Sequence, residues 1–189
     1  MKCKTANVKI FRELQYYVGV FLFVLISIVF TSCSSNKYSQ SDLDKYFTKE
    51  RAKAKTSPIS FQIPQGWHVV DANNEAFIDL WIVRNDLNVS LSLQPFYSNS
   101  TSNNLKKNFE SSILLQNAKH KNKISIVKEK PIRLNGKMVL PYNFSVGRKD
   151  YRIILFEHNG KSYELTLLGN STNIKIEYFI QELVISSAK

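Results

Sequence analysis

The side chains that could bind a metal or perform catalysis are few in this chain, and they are widely separated. Its three histidines, His68, His120 and His158, stand at none of the short spacings from another His, Cys or carboxylate that metal sites use. No serine lies in a glycine-flanked nucleophile elbow, and the 6 glycines form no phosphate-binding loop. We therefore expect no metal, no cofactor and no catalytic residue of these kinds.

Paired carboxylates are a further possibility, because two acidic side chains can share general acid and general base roles. The candidates in predicted strands or turns are Asp79, Asp86, Glu157 and Glu164. A solvated strand face or a turn explains each of them equally well. We predict that the protein is not an enzyme.

Aromatic and basic residues suggest two possible binding surfaces. Aromatic side chains at strand spacing could line a ligand groove or pack in the core: Trp67, Phe77, Trp81, Phe96, Tyr97, Tyr142, Phe144, Tyr151, Phe156 and Tyr163. The densest basic stretch is residues 119–123, which could contact anionic headgroups or could be a solvated loop after a helix. Core packing and a solvated loop are the simpler interpretations.

The two cysteines, Cys3 and Cys33, both lie near the N-terminus, so the rest of the chain can form no internal disulfide. Positive charges within residues 1–15 precede an apolar run over residues 16–30. That run has the length of a signal-peptide core, whereas a transmembrane helix needs roughly 20 apolar residues. We predict a signal peptide over residues 1–32.

Residues 26–41, ISIVFTSCSSNKYSQS, resemble a bacterial lipobox, although Phe30 stands three positions before Cys33 where Leu is usual. The resemblance implies that Cys33 receives a thioether-linked diacylglyceryl group and becomes the first residue of a lipoprotein anchored by acyl chains such as palmitate. Ser34 replaces the Asp that would favour inner-membrane retention, which favours the outer membrane, facing the periplasm. An uncleaved signal anchor, or an ordinary signal peptide with a chance cysteine, are the alternatives.

The chain is basic, with 26 Lys and Arg against 15 Asp and Glu and a formal net charge of +11. The excess persists after residues 1–32 are removed. Such a surface favours anionic phospholipid, polysaccharide or acidic protein, although scattered lysines also serve solubility. We expect no nucleic acid partner for a protein outside the cytoplasm.

The mature chain divides into a polar tether and one domain. Residues 33–56 are polar and charged, and we predict a tether there with a short helix around residues 42–54. The domain, residues 57–189, begins near Ser57 with an alternating strand. Residues 76–84 are nearly continuously apolar, as in a central strand, and residues 88–97 alternate, as in a strand with one solvated face.

Two helices and several hairpin strands complete the predicted order. A helix is expected from about Asn103 to Asn117, and a second ends the chain, with an apolar stripe at Ile176, Phe179, Ile180 and Leu183. Between them we predict strands over residues 124–127 and from Ile132, followed by two hairpins. Asn-Gly pairs at residues 135–136 and 159–160 favour the type I′ turns of β-hairpins. The pattern predicts an α+β fold.

Residues 57–67, SPISFQIPQGW, resemble the opening strand of the Mog1/PsbP-like family, in which an apolar strand runs into a Pro-x-Gly-Trp turn. Residues 136–170 and the helix after them are similar to the family's closing meander. The resemblance implies an α/β/α sandwich, in which helices flank an antiparallel sheet of about six to seven strands. It also implies that Pro64 and Trp67 hold the first strand against the rest.

Members of that family are accessory subunits of photosynthetic complexes, a nuclear transport factor partner and bacterial envelope lipoproteins, and they share no active site. The resemblance therefore implies a non-enzymatic accessory or binding subunit of another envelope component. A carrier or sensor that holds a small hydrophobic or anionic ligand between sheet and helix is the alternative.

Overall fold

The computed structural model describes residues 40–71, 75, 77–96, 104–121, 123–170 and 174–189. Within them the helices are α1 Gln40–Tyr46, α2 Leu105–Lys119 and α3 Ile174–Ser186. The strands are β1 Phe47–Lys53, β2 Ser60–Pro64, β3 Trp67–Val70, β4 Leu80–Arg84, β5 Val89–Phe96, β6 Val127–Lys128, β7 Ile132–Leu134, β8 Lys137–Val146, β9 Lys149–His158 and β10 Lys161–Asn170.

The strands form one main antiparallel sheet and one separate hairpin. The main sheet has the order β3-β4-β5-β10-β9-β8-β6, and β7 also pairs with β8. The hairpin β1–β2 packs on one face of this sheet together with α3, while α2 packs on the other face. The predicted α+β class, with an antiparallel sheet between helices, is confirmed.

The two Asn-Gly pairs are the turns of β-hairpins, as predicted. Asn135 and Gly136 have φ angles of 49° and 76°, and Asn159 and Gly160 have 49° and 71°. Both central residues of a type I′ turn need positive φ, which Asn tolerates and Gly adopts freely. These turns set the register of β7–β8 and of β9–β10.

Each face of the main sheet has its own apolar core. On the α3 side, Phe61 of β2 lies edge-on to Phe156 of β9, with the ring centroids 6.4 Å apart, and both rings are buried. On the α2 side, Phe109 lies edge-on to Tyr142 of β8, with the centroids 5.6 Å apart. Strand β9 contributes to both cores, because successive side chains alternate between faces.

Arg152 is a buried cation between the main sheet and α3, with 2% of its side chain exposed. Its Nε and Nη2 atoms donate to the two carboxylate oxygens of Glu129, at 2.9 and 2.8 Å, and Nη2 also donates to Glu182 at 3.0 Å. Its Nη1 donates to Gln181 Oε1 at 3.3 Å, and the guanidinium lies 4.4 Å from the ring centroid of Tyr178. The carboxylates of Glu129 and Glu182 compensate the positive charge of Arg152, which burial would otherwise leave without a partner.

The register places the strand turns at two opposite ends of the main sheet. At one end Val89 pairs with Gly169, and Gly169 pairs with Asp150, so the β4–β5 and β8–β9 turns lie together. We call this the entry end, because β1 begins there: the carbonyl of Tyr46 accepts from the backbone N–H of Gln65, in the β2–β3 turn. The opposite end, which we call the far end, carries the β9–β10 turn at residues 159–160.

The structure differs from the expectation of a tether up to residue 56. The helix expected over residues 42–54 ends at Tyr46, and residues 47–53 form β1, which pairs with β2. Phe47 and Ala52 are buried in the core on the α3 side. The folded part therefore begins before Ser57, and the tether stays a prediction only for residues 33–39, which lie outside the described residues.

The strand expected over residues 76–84 is shorter than predicted and lies next to the edge strand β3 rather than centrally. It begins at Leu80, and Phe77 before it is exposed. Asp79 explains the late start, because its buried carboxylate accepts hydrogen bonds from Thr56 N at 2.6 Å and from Ser57 N at 3.1 Å. These bonds direct residue 79 to the loop before β2.

The predicted signal peptide and Cys33 also lie outside the described residues. Within the described residues, no helix is long and apolar enough to cross a membrane. Trp67, expected to hold the first strand in place, is buried in the core on the α3 side, and Pro64, the last residue of β2, is also buried.

Candidate functional site

The helix that borders the candidate site begins at a defined cap. Asn104 precedes α2, and its side-chain oxygen accepts from the backbone N–H groups of Lys106 and Lys107, at 3.1 and 3.2 Å. Asn104 is therefore the N-cap of α2, which starts and ends two residues later than expected. The cap places the first turn of α2 over the far end of β8.

A half-open groove of about 710 Å³ lies between that first turn and the far end of the main sheet. Leu105 and Phe109 of α2 form one wall, while Met138 and Leu140 of β8 form the other. Pro131 and the β9–β10 turn also line the groove. Most of the lining is apolar, and Met138 remains 42% exposed at the edge.

Charged side chains stand at the rim of the groove. Glu110 is paired, because Lys128 Nζ donates to its two carboxylate oxygens at 3.1 and 2.9 Å and also lies 5.8 Å from the ring centroid of Phe109. Lys106, Lys137 and Glu157 complete the charged part of the lining. An apolar floor with a charged rim is the usual form of a binding pocket.

A buried polar cluster lies beneath α2, beside the groove. Asn108 Nδ2 donates to Ser162 Oγ at 2.9 Å, and Ser112 Oγ is hydrogen-bonded to the Tyr142 hydroxyl at 2.5 Å. Burial raises the pKa of Tyr142, and it also raises the pKa of Glu164 on β10, against an opposing hydrogen bond from Ser112. The cluster gives the helix a polar contact with the sheet that its apolar residues do not provide.

Glu164→Gln is expected to raise the free energy of unfolding at neutral pH and to leave it nearly unchanged in acid. A raised pKa means that the folded protein keeps a proton that the unfolded chain releases. The stabilisation from the neutral carboxyl is complete below the ordinary pKa of 4.5 and is lost as the pH rises through the higher folded-state value. Glutamine stays neutral throughout, so urea unfolding from pH 4 to pH 8 should show a flatter profile.

Glu50→Gln, at an exposed position on β1, is the matched control and should follow the wild-type pH profile. If Glu164→Gln lost stability at every pH, the carboxyl would be ionised and hydrogen-bonded in the folded protein, contrary to this prediction.

The other sequence-based candidates do not form one site. Asp79 binds the loop before β2, Asp86 binds Arg84, Glu157 lies in the groove and Glu164 lies under α2. The histidines are also dispersed: His68 contacts Asn85, His120 lies against Phe144 and Tyr151, and His158 is buried in β9. Among the described residues, no group of three or more His, Cys, Asp or Glu could hold a metal ion.

The predicted aromatic residues belong mainly to the core. Those buried in the described structure are Trp67, Tyr142, Phe144, Phe156 and Tyr163. Sequence reasoning missed the groove, whose aromatic wall is Phe109. The signal available for it was the spacing of Leu105 and Phe109, which are four residues apart and so lie on one face of a helix.

Comparison with solved structures identifies the fold. The cyanobacterial PsbP protein CyanoP from Synechocystis sp. PCC 6803 matches with a TM-score of 0.55 and 16% sequence identity, over 74% of this chain and 91% of that chain. The fold is Mog1/PsbP-like. The predicted fold resemblance is therefore confirmed, and the sheet with α2 and α3 on its two faces is the Mog1/PsbP-like core of this chain.

Two further structures match this chain at lower similarity. The Ran-binding protein Mog1p of Saccharomyces cerevisiae matches with a TM-score of 0.49 and 9% identity, over 76% of this chain and 95% of that chain. LpqN, described as involved in cell envelope biogenesis of Mycobacterium tuberculosis, has a TM-score of 0.34 and 13% identity, over 82% of this chain and 98% of that chain. No protein family model and no curated protein sequence matches the chain.

Proposed function

We propose that this chain is a bacterial envelope lipoprotein whose Mog1/PsbP-like domain is a non-enzymatic binding subunit for another envelope component. Its anchor is an acylated Cys33, and its location is the outer membrane, facing the periplasm. The observation that carries the binding role is the apolar groove at the far end of the sheet. A partner protein would insert an apolar side chain between Leu105 and Met138.

The form of the groove supports a protein partner. Protein interfaces concentrate their binding energy in apolar pockets that a charged or polar rim surrounds, and this groove has both parts. Met138 at its edge has an unbranched, adaptable side chain of the kind that binding surfaces use. Because the groove lies at the far end, the chain that leads to Cys33 does not enter beside it.

A carrier of a small hydrophobic or anionic ligand is the second candidate. The volume of about 710 Å³ lies within the range of small-molecule pockets, and the groove is bounded by a helix and a sheet as that alternative requires. Lys106 and Lys137 at the rim would meet an anionic group of such a ligand.

Site-specific photo-crosslinking in cells should separate the two functions. A photoreactive amino acid at Lys106, on the rim, is expected to capture one envelope protein if the domain is a binding subunit, and a lipid or small molecule if it is a carrier. The same amino acid at Lys49, an exposed position on β1, is the control. Capture should disappear with Met138→Lys, which places a charge in the groove at a position exposed enough to accept it.

The anchor is tested in the same experiment. Cys33→Ala is expected to remove the protein from the membrane fraction and to reduce capture, whereas Cys3→Ala should change neither, because residue 3 lies in the predicted signal peptide. Equal capture at Lys106 and Lys49, or capture that Met138→Lys leaves intact, would show that the groove is not the binding site.

A further inference from the structure

The entry end of the main sheet carries a cluster of exposed cations, which we call the basic end. Its members are Lys119, Lys121, Lys123, Arg148 and Lys149. They come from the end of α2 and the loop after it, and from the β8–β9 turn and the start of β9. Ring contacts hold these two segments together. The His120 ring lies 5.6 Å from that of Phe144 and 6.4 Å from that of Tyr151, and Phe144 and Tyr151 stack with centroids 4.9 Å apart.

Nearby acidic groups offset the basic end only in part. Asp86 and Glu177 are both paired with Arg84, and Asp150, which accepts a hydrogen bond from Ser145, can offset only one of the five cations. Among the described residues, no salt bridge engages the five cations of the basic end. Their positive potential is therefore directed at solvent or at an external anionic surface.

Apolar side chains lie beside the basic end. Trp81, Val83, Leu87 and Leu168 line a concavity of about 330 Å³ together with Lys149. Leu87, in the β4–β5 turn, is 72% exposed and has a φ of 59°, a conformation that Asn or Gly adopts more easily. Neither packing nor turn geometry accounts for a leucine at this position. Trp81 is half-buried beside it. Exposed apolar side chains and a tryptophan next to lysines are typical of surfaces that contact the membrane interface.

The length of the chain before α1 sets how far this end can stand from the proposed anchor. Residues 34–39 separate Cys33 from α1, and a fully extended chain from residue 33 to residue 40 spans at most about 25 Å. The 7 residues of α1 add roughly 10 Å. The start of β1 at the entry end is thus within about 35 Å of Cys33, so an acylated Cys33 limits how far this end of the domain can stand from the bilayer.

We propose that the entry end docks on the anionic phospholipid surface of the membrane that holds the acylated Cys33. The cations of the basic end contact headgroup phosphates, and Leu87 and Trp81 lie at the level of the interface. The proposal rests on the proposed function, because the short connection matters only if Cys33 is the anchor. It leaves the groove at the far end facing away from the bilayer.

The test uses the processed, acylated protein reconstituted in vesicles, with an environment-sensitive fluorophore on Leu87→Cys. The thioether on Cys33 and the loss of Cys3 with the signal peptide leave this introduced thiol as the single labelling site. In vesicles of phosphatidylglycerol and phosphatidylcholine we expect a blue-shifted emission, which high salt reverses because screening weakens surface electrostatics. Vesicles of phosphatidylcholine alone should give no shift, nor should a label on Lys161→Cys, near the far end.

Charge reversal supplies the second measurement. The double variant Arg148→Glu, Lys149→Glu should reduce the docked fraction at least about tenfold, since each cation near an anionic surface contributes several-fold to binding. Lys53→Glu with Lys130→Glu, two exposed lysines outside the basic end, makes the same charge change and should not reduce it.

The outcomes separate this proposal from the lipoprotein proposal. If the intact mass shows acyl groups on Cys33 but the fluorophore at residue 87 shows no blue shift with vesicles, the docking proposal alone is overturned. Absence of acyl groups would overturn both. A blue shift of the emission that appears without vesicles and grows with protein concentration would identify a second copy of the chain as the occupant of this surface. That result would also overturn the docking proposal.

Discussion

Arg152→Ala is expected to lower the free energy of unfolding by about 3–5 kcal/mol, the usual cost of breaking a buried ion pair from one side. The substitution removes the Arg152 cation from the carboxylates of Glu129 and Glu182, and Glu182 is itself buried. It also removes the donor to Gln181 on α3. Urea unfolding followed by circular dichroism measures the change directly.

Two further variants show whether the loss comes from this network. Arg133→Ala, at an exposed position on β7, should change stability by no more than about 0.5 kcal/mol. Arg152→Lys should recover only part of the loss, because a lysine cannot make the bidentate contact with Glu129. If Arg152→Ala had the same urea unfolding midpoint as the wild type, the network would not form in solution.

Phe47→Ala is expected to cost about 3–5 kcal/mol, as buried phenylalanine truncations usually do. Phe47 is the first residue of β1, only 4% of it is exposed, and it belongs to the apolar core on the α3 side. The loss of the ring leaves a cavity where the chain enters the domain. The change in unfolding midpoint would be measured under the same conditions as for Arg152.

Lys49→Ala is the matched control, since residue 49 lies in the same strand with its side chain exposed. It should be within about 0.5 kcal/mol of wild type. If both variants behaved alike, residues 47–53 would not be part of the folded core, and the short connection on which the docking proposal depends would be lost.

The β-hairpins could be predicted from the sequence because their signals are local. Alternation in β8 and the Asn-Gly pairs at residues 135–136 and 159–160 specify which residues face inward and where the chain turns. The predicted opening strand corresponds to β2, with Phe61 and Ile63 both buried. These features confirm the fold resemblance that the opening turn and the closing meander suggested.

Strand β1 escaped prediction for a specific reason. Only Phe47 and Ala52 are buried in this strand, whose sequence is FTKERAK, and the register of pairing with β2 shifts between Phe47 and Arg51. Such an irregularity breaks the period of two on which strand recognition depends. Arg51 reads as a solvated charge, yet its guanidinium donates to the carbonyls of Ser60 and Ser187, both at 2.7 Å.

The ion network and the groove escaped prediction because their parts are distant in sequence. Arg152 directly precedes the apolar run of residues 153–156 in β9, and its partners Glu129 and Glu182 come from the loop after β6 and from α3. The groove likewise combines the first turn of α2 with β8. Only the packing of α2 and α3 on opposite faces of the sheet brings these residues to their positions.

The hairpin β1–β2 has a consequence for the order of events during biosynthesis. Its cover is α3, which the ribosome makes on the order of 100 residues later, and contacts of such long range form slowly. Until α3 emerges, Phe47 and Phe61 have no helix against which to pack. The domain is therefore incomplete for most of its synthesis, which is compatible with the export that the proposed function requires.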